Sequence, residues 1–349
     1  EIKGVVVVRF AWVLISLWLC LNCCLVHGLS ENVVEIDGNT GEILTSETVT
    51  TEDLPKPNRF DFKLIFQPQP QNEGDGAIVR RCVGGNLNYI DPLLLFDHFT
   101  VTPPAGFPPH PHRGFQTLTY MLDGAFAHKD SFGNEGIVHS GGAQWMNAAG
   151  GIVHSEAPAT PGANDGLQLW INLPRAFKAA TPQYKQLNQD EIPVLSKDSA
   201  SIRVILGSTE GVSSPLNDML QQAGNRELLF LDITLQPNSN YTHEIPSDQH
   251  LLIYIVSGSL LFENSVESQT ATDSHCIFFE SNQDSTASSR SSKFIFTQTL
   301  SSTARFLLFT AQPINEPMKR YGPFVFNYQS ELNSWIDAYR QGKYGQLEE

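Results

Sequence analysis

The sequence is best interpreted from one stretch, GFPPHPHRGF at residues 106–115, which places His110 and His112 two residues apart. A second pair with the same spacing, His154 and Glu156, follows later in the chain. Side chains at positions i and i+2 of a β-strand project from the same face. Two such strands brought face to face would present three imidazoles and one carboxylate. This nitrogen-rich set without thiolate suits a first-row transition metal.

Pro111, between the first two histidines, indicates where that strand lies. It removes a backbone donor, so it suits the edge or the mouth of a sheet better than a central strand. The alternative is that the paired residues are ordinary surface or core groups satisfied by hydrogen bonds; the second pair favours the metal site. We assign no partner two residues away to His98, His128 or His139. We expect these histidines to surround the site or lie at the surface.

Composition indicates a folded protein whose partner is not a nucleic acid. A chain of 349 residues is long enough for two domains. Its net charge is -15, and its basic residues form no cluster beyond pairs such as Arg80-Arg81, which argues against direct binding to phosphate backbones. A neutral or cationic small molecule, or a protein, is the expected partner.

Only two of the five cysteines belong to the body of the chain, Cys82 and Cys276, because the others lie in an apolar N-terminal run. Two isolated cysteines form neither a disulfide framework nor a zinc motif, although a single bridge between them remains open. Residues 1–28 combine early basic residues with that apolar run and end in small residues, which predicts a signal peptide. An uncleaved membrane anchor and the front of an organelle-targeting leader are the alternatives.

The remaining chain predicts an all-β architecture used twice. Residues 29–58 are polar and are predicted to be a linker or disordered arm. Short apolar stretches bounded by Gly, Pro, Asn or Asp then recur in the manner of a sandwich or barrel. The predicted strands of the first series are 62–66, 77–83, 93–99, 116–122, 125–129, 136–139, 143–147, 152–156 and 167–173. Those of the second series are 201–206, 228–235, 251–256, 259–262, 275–279, 294–299 and 304–310.

These series predict a metal-binding barrel over residues 59–180 and a second barrel over 181–315. The stretch from Pro174 to Pro193 has little strand character and is read as the connection. In the tail, residues 316–349, a stripe of apolar residues at helical spacing predicts an amphipathic helix that docks on a barrel. That stripe consists of Leu332, Trp335, Ile336 and Tyr339, and Gly342 is a suitable end.

Several motifs together resemble the pirin family. They are DPLLLFDH at 91–98, GFPPHPHRGFQTLTY at 106–120, LDGA at 122–125, HKD at 128–130, QWM at 144–146, GIVHSE at 151–156, GLQLWINL at 166–173, PQY at 182–184 and YGPFV at 321–325. The resemblance covers roughly residues 62–339. It implies a bicupin of the cupin superfamily, with two antiparallel jelly-roll β-barrels and a C-terminal helix.

The resemblance also implies a ligand set and an activity. One iron, Fe(II) or Fe(III), would be held by His110, His112, His154 and Glu156, although Mn, Co, Ni or Cu would suit the same donors. Pirins resemble quercetin 2,3-dioxygenases (quercetinases), oxidoreductases that open a flavonol ring with dioxygen and release carbon monoxide. Glu156 would then also be catalytic, taking the proton of the substrate hydroxyl. The expected partners are a small aromatic substrate such as a flavonol, and dioxygen.

The family also carries an alternative of another class, an iron-dependent, redox-sensing transcriptional co-regulator with a protein partner and no turnover. A purely structural metal is a third interpretation. The family expectation is a monomer, nuclear or cytoplasmic, whereas a signal at residues 1–28 would make the protein secretory or organellar. One further departure stands out. Gln116 replaces a frequent glutamate and is expected to alter the polarity beside the ligands. The second barrel has only isolated histidines, His243, His250 and His275, and is expected to lack metal, as the resemblance also implies.

Overall fold

The computed structural model describes residues 63–85, 87–225, 227–263, 268–280, 292–299 and 301–347, with the backbone of three strands nearer the N-terminus. The chain divides into two units, residues 1–57 and 58–349. In the first unit, β1 (Val6–Phe10), β2 (Ser30–Ile36) and β3 (Ile43–Thr50) form an antiparallel sheet. The predicted signal at residues 1–28 lies outside the described residues except for the β1 backbone. None of the helices in the described part of the chain is long and apolar enough to span a membrane.

The second unit is built almost entirely from strands. Its first half contains β4 (Leu64–Phe66), β5 (Pro70–Glu73), β6 (Ala77–Val83), β7 (Leu93–Val101), β8 (Phe107–His112), β9 (Phe115–Asp123), β10 (Ala125–Asp130), β11 (Glu135–His139), β12 (Ala143–Asn147), β13 (Ile152–Pro158), β14 (Asn164–Asn172) and β15 (Gln183–Leu187). Its second half contains β16 (Val194–Lys197), β17 (Ala200–Leu206), β18 (Ser208–Thr209), β19 (Val212–Ser213), α1 (Asn217–Gln222), β20 (Leu228–Leu235), β21 (Asn240–Pro246), β22 (His250–Ser257), β23 (Ser259–Glu263), β24 (Ser268–Thr272), β25 (Cys276–Phe279), β26 (Ser292–Thr299), β27 (Ala304–Ala311), β28 (Lys319–Tyr321), β29 (Phe324–Phe326) and α2 (Gln329–Arg340).

Both halves have the same layout of a large sheet packed on a small one. In the first, which we call the first barrel, a sheet ordered β15-β12-β9-β14-β7-β6-β5 accompanies one ordered β11-β10-β13-β8. In the second barrel, β16-β17-β20-β27-β22-β25-β4 accompanies β21-β26-β23-β24. The all-β architecture with a C-terminal helix is therefore confirmed. Each barrel is an open pair of sheets rather than a closed ring of hydrogen-bonded strands.

The two halves exchange edge strands. The short β4, which precedes the first barrel in sequence, pairs with β25 of the second. The stretch predicted as the connection, from Pro174 to Pro193, contributes β15, which pairs with β12 at the edge of the first barrel's large sheet. The division at residue 180 remains a prediction, but the pairing of strands does not follow it.

The largest apolar core lies between the two large sheets. Phe96 and Tyr120 of the first barrel contact Phe230 of the second, and Phe96 also contacts Tyr254. β7 and β9 are therefore covered on both faces, which explains why β7 begins as a continuous apolar run rather than an alternating one. A disulfide between Cys82 of β6 and Cys276 of β25 links the barrels, which resolves the pairing that the sequence left open.

The interiors of the two barrels differ. The second is filled by aliphatic and aromatic side chains of β17, β20, β22 and β27. The first has a smaller apolar cluster that includes Phe99 and Phe126, and it leaves space for polar residues. Outside the first barrel, α2 packs Leu332 and Trp335 onto Val153 of β13. Arg113 also lies over Trp335, with 4.2 Å between the guanidinium carbon and the ring centroid.

Candidate metal centre

The two paired motifs lie on neighbouring strands of the small sheet. β8 is at the edge of that sheet and pairs with β13, which accounts for the prolines that it tolerates. The register places His110 directly opposite His154, and a bulge between His154 and Glu156 shifts the pairing beyond it. The sequence predicted that the two strands face each other, and this was wrong. They are adjacent, and the side chains meet because both pairs project from one face of the same sheet.

Three histidines converge within this face. His110 Nε2 lies 3.1 Å from His112 Nε2. The ring centroid of His154 lies 4.4 Å from that of His110 and 4.8 Å from that of His112. One nitrogen from each ring can be chosen so that the three atoms all lie within 4.8 Å of one another. Such a spacing allows one ion to contact all three rings.

The surroundings of the three rings fit a metal. His110 Nδ1 lies 2.8 Å from the carbonyl oxygen of Pro108 and donates there, so Nε2 is the ring nitrogen that remains to face a metal. His112 Nδ1 and His154 Nε2 are buried without any hydrogen-bond partner. Burial, followed by the charge of neighbouring histidines, holds the pKa of both His112 and His154 well below the usual range. Both rings are therefore neutral at physiological pH, the form in which imidazole binds metals.

Glu156 is buried at the same face and is held by two donors. Thr119 Oγ1 donates to Glu156 Oε1 at 3.2 Å, and Gln168 Nε2 donates to Glu156 Oε2 at 3.0 Å. The same Thr119 hydroxyl lies 3.0 Å from Gln168 Oε1, so its single proton is shared between that oxygen and Glu156. Glu156 belongs to a second cluster, with His154 and His128, in which the donor atoms again lie within 4.8 Å. The two clusters share His154.

His128 lies beside the candidate ligands, as expected for a residue that surrounds the site, and it belongs to the cluster with His154 and Glu156. The residue is buried, and its Nδ1 lies 3.4 Å from His154 Nδ1. Its ring stacks on Tyr184, 4.7 Å away, and its Nε2 lies 3.3 Å from Asp130 Oδ2. A signal was present in the sequence, because Asp130 follows His128 at the spacing of i and i+2. The other two unpaired histidines lie elsewhere: His98 bonds to Tyr254 in the second barrel, and His139 is exposed.

A cavity of about 400 Å³ opens over the histidines. His110, His112 and Glu156 are among its lining residues; His128 and His154 are not. Its aromatic walls include Phe107, Phe126 and Trp170. The volume lies within the range of about 300–1,000 Å³ that is usual for small-molecule sites. The cavity thus combines aromatic walls with charged groups, among them Glu73, Arg81, Asp97 and Arg320.

Gln116 does not lie where the sequence analysis expected it. Its Oε1 accepts a hydrogen bond from Trp145 Nε1 at 2.8 Å, and its Nε2 donates to Asn225 Oδ1 of the second half at 3.4 Å. Thr119, three residues further along β9, instead reaches Glu156. An odd separation along a strand places two side chains on opposite faces. Gln116 therefore faces the interface between the barrels, and Gln168 is the glutamine that touches the candidate site.

The histidines of the second barrel serve other contacts. His243 Nδ1 lies 3.0 Å from the Tyr241 hydroxyl, and burial lowers its pKa to about 4. His275 contacts Thr272 nearby in the chain, and His250 lies against Phe278. Across the described residues, both clusters of three or more metal-binding side chains lie in the first barrel.

Comparisons with known proteins agree with this layout. The profile of the Pirin family matches residues 76–171, and that of the pirin C-terminal cupin domain matches residues 230–345. A pirin-like protein of Solanum lycopersicum is 44% identical over 276 residues, which cover 79% of this chain and 89% of the relative. Pirin of Homo sapiens is 35% identical over 284 residues, 81% and 93% of the two chains. A crystal structure of quercetin 2,3-dioxygenase from Acinetobacter baumannii has a TM-score of 0.71 at 26% identity, over 83% of this chain and 100% of the other.

Proposed function

This chain belongs to the pirin family, and we propose on that premise that it is a mononuclear iron dioxygenase that opens the ring of quercetin-like flavonols. The observation that carries the proposal is a pair of clusters that share His154, one with His110 and His112 and the other with His128 and Glu156, beside a cavity with aromatic walls. The structural likeness to a quercetin 2,3-dioxygenase supports the choice of reaction.

In this proposal His110, His112, His154 and Glu156 hold one iron ion. Three neutral imidazoles and one carboxylate leave open positions on a six-coordinate ion. When bound, the metal would supply a Lewis-acid and redox centre for a substrate oxygen and dioxygen. Because the same donors suit other first-row metals, iron is chosen on the family resemblance. His128 is not assigned to the ligand set, because its ring is already engaged by Asp130 and Tyr184.

The side chains around the metal position have separate tasks. Glu156 takes the proton of the substrate hydroxyl as the general base, and because it is also assigned as a ligand, this role requires a shift in its coordination. Gln168 and Thr119, which donate to its two oxygens, fix the orientation of that carboxylate. Phe107, Phe126 and Trp170 provide flat apolar walls that bury an aromatic ring and exclude water.

The proposal is tested with the full chain loaded with ferrous iron. We expect it to consume dioxygen and to bleach quercetin, as followed with an oxygen electrode and by the loss of flavonol absorbance. His110→Ala and Glu156→Ala should lower the iron content measured by elemental analysis. His139→Ala is the matched control, since His139 is exposed and should leave iron binding unchanged.

Two outcomes would contradict these assignments. Unchanged iron content in both alanine variants would refute the ligand set. Full iron occupancy without turnover of quercetin or related flavonols would refute the dioxygenase and favour the redox-sensing co-regulator. The sequence of the mature N-terminus adds an independent criterion, because cleavage of residues 1–28 would separate the protein from transcription factors.

A further inference from the structure

Two guanidinium groups line the cavity, and their surroundings differ. Arg81 is saturated by acidic partners. Its Nε and Nη2 donate to the two carboxylate oxygens of Asp97 at 2.8 and 2.7 Å, and Nη2 also donates to Glu73 at 2.7 Å. One cation thus faces two carboxylates. The charge of Arg81 is thus already balanced by acidic groups, which makes the binding of a further anion there unfavourable.

Arg320 forms no hydrogen-bonded ion pair among the described residues, although the charges of Asp97 and Glu73, which line the same cavity, interact with it. It lies on β28, and its Nε donates to the carbonyl oxygen of Gly322 at 3.1 Å. Its guanidinium lies over the ring of Trp170, with 4.6 Å to the centroid. Trp170 in turn contacts the ring of His112, with 5.0 Å between centroids. The cation is therefore one aromatic ring away from a candidate metal ligand.

These contacts place Arg320, which is itself exposed, at the edge of the cavity beside its aromatic wall. A guanidinium stacked on an indole keeps its in-plane donors available, because stacking uses only the face of the group. The same cavity presents aromatic side chains, including Phe107 and Phe126. An aromatic ring buried against those walls could place a negatively charged substituent near Arg320. The net charge of -15 predicts a neutral or cationic partner for the chain as a whole, and Arg320 is a local exception to it.

We propose that Arg320 is a specificity-determining residue that recognises an anionic oxygen on an aromatic substrate, a carboxylate or a phenolate. The proposal rests on the proposed function in taking the cavity as the substrate site. It narrows the substrate class from flavonol-like rings in general to those that carry a negatively charged substituent within reach of Arg320. Lysine would retain the charge but not the planar stack on Trp170, so Arg320→Lys should recover only part of the preference.

The test measures binding rather than turnover, using calorimetry with 2-naphthoate and its neutral counterpart 2-naphthamide. The wild-type full chain should bind the carboxylate about tenfold more tightly than the amide, as expected for a charge-assisted hydrogen bond. Arg320→Gln should abolish that preference while leaving the affinity for the amide unchanged. Lys319→Gln is the control, because Lys319 is an exposed cation on the same strand that does not line the cavity.

Because a carboxylate could also bind a metal directly, the measurement is made before and after treatment with a chelator. The part of the preference that depends on Arg320 should persist in both states, and it should fall as salt is added. An equal preference in wild type and Arg320→Gln would overturn the proposal, as would an equal loss in Lys319→Gln. A chain that shows the preference but does not turn over quercetin would contradict the dioxygenase and leave the anion site standing.

Discussion

Replacing Gln168 with leucine tests whether the carboxylate of Glu156 is prepared for a metal. In the structure Glu156 is buried and has two side-chain donors, Gln168 at 3.0 Å and Thr119 at 3.2 Å. Gln168→Leu keeps a similar volume but removes one donor, and it also removes the oxygen that accepts from Thr119. A hydrogen bond to a charged group contributes about 1.5–3 kcal/mol. The expected loss of metal affinity is therefore about 10- to 100-fold, the range known for groups that orient metal ligands.

The assay is a competition titration of metal against a chromophoric chelator. Gln116→Leu is the matched control, because Gln116 is a buried glutamine with two hydrogen-bond partners on the opposite face of the same large sheet. It should lower the free energy of unfolding and leave metal affinity unchanged. The reasoning would be refuted if Gln168→Leu bound metal as tightly as the wild type, or if both variants lost affinity equally.

Three predictions concern stability. Tyr120→Phe removes a 2.6 Å hydrogen bond to buried Asp232 across the two barrels, and should cost about 1.5–3 kcal/mol in urea unfolding. Cys82→Ser removes a disulfide that spans 194 residues, and it should lower the free energy of unfolding by up to about 5 kcal/mol. As a check, a reductant should lower the free energy of unfolding of the wild type and leave that of the variant unchanged. Burial lowers the pKa of Lys178 from 10.5 to about 7, so the unfolded chain binds more protons between those values. The free energy of unfolding of the wild type should therefore rise with pH over that window, by at most about 5 kcal/mol. Below pH 7 the folded protein bears the full cost of burying a charged amine. Lys178→Met should show no such rise.

The sequence alone identified the candidate site residues that lie close together in the chain. The spacing of His110 with His112, and of His154 with Glu156, is local and follows from strand geometry. The antiparallel register that places His110 opposite His154 is not local, because it depends on the pairing of β8 with β13. This is why the four side chains could be named while their arrangement was wrongly described as two facing strands.

The residues that were misplaced or missed have contacts set by distant parts of the chain. Gln116 and Gln168 are both glutamines on strands of the large sheet, and only the packing of the second barrel decides which one faces Glu156. Arg320 reaches the cavity from β28, far along the chain from the ligands. Strand β21 (Asn240–Pro246) was also missed, because its alternating pattern contains several polar residues and lacks a continuous apolar run.

The exchange of edge strands between the barrels limits how the protein can be divided. A fragment ending near residue 180 would keep the four candidate ligands but would lack β15 at the edge of its large sheet. It would also contain β4 without β25, so the edge of β4 that pairs with β25 would be exposed. Unpaired sheet edges favour association with other chains. The half that carries the candidate metal centre is therefore not an independent module: moving the site into another protein would require the second barrel as well, although that barrel contributes none of the four candidate ligands.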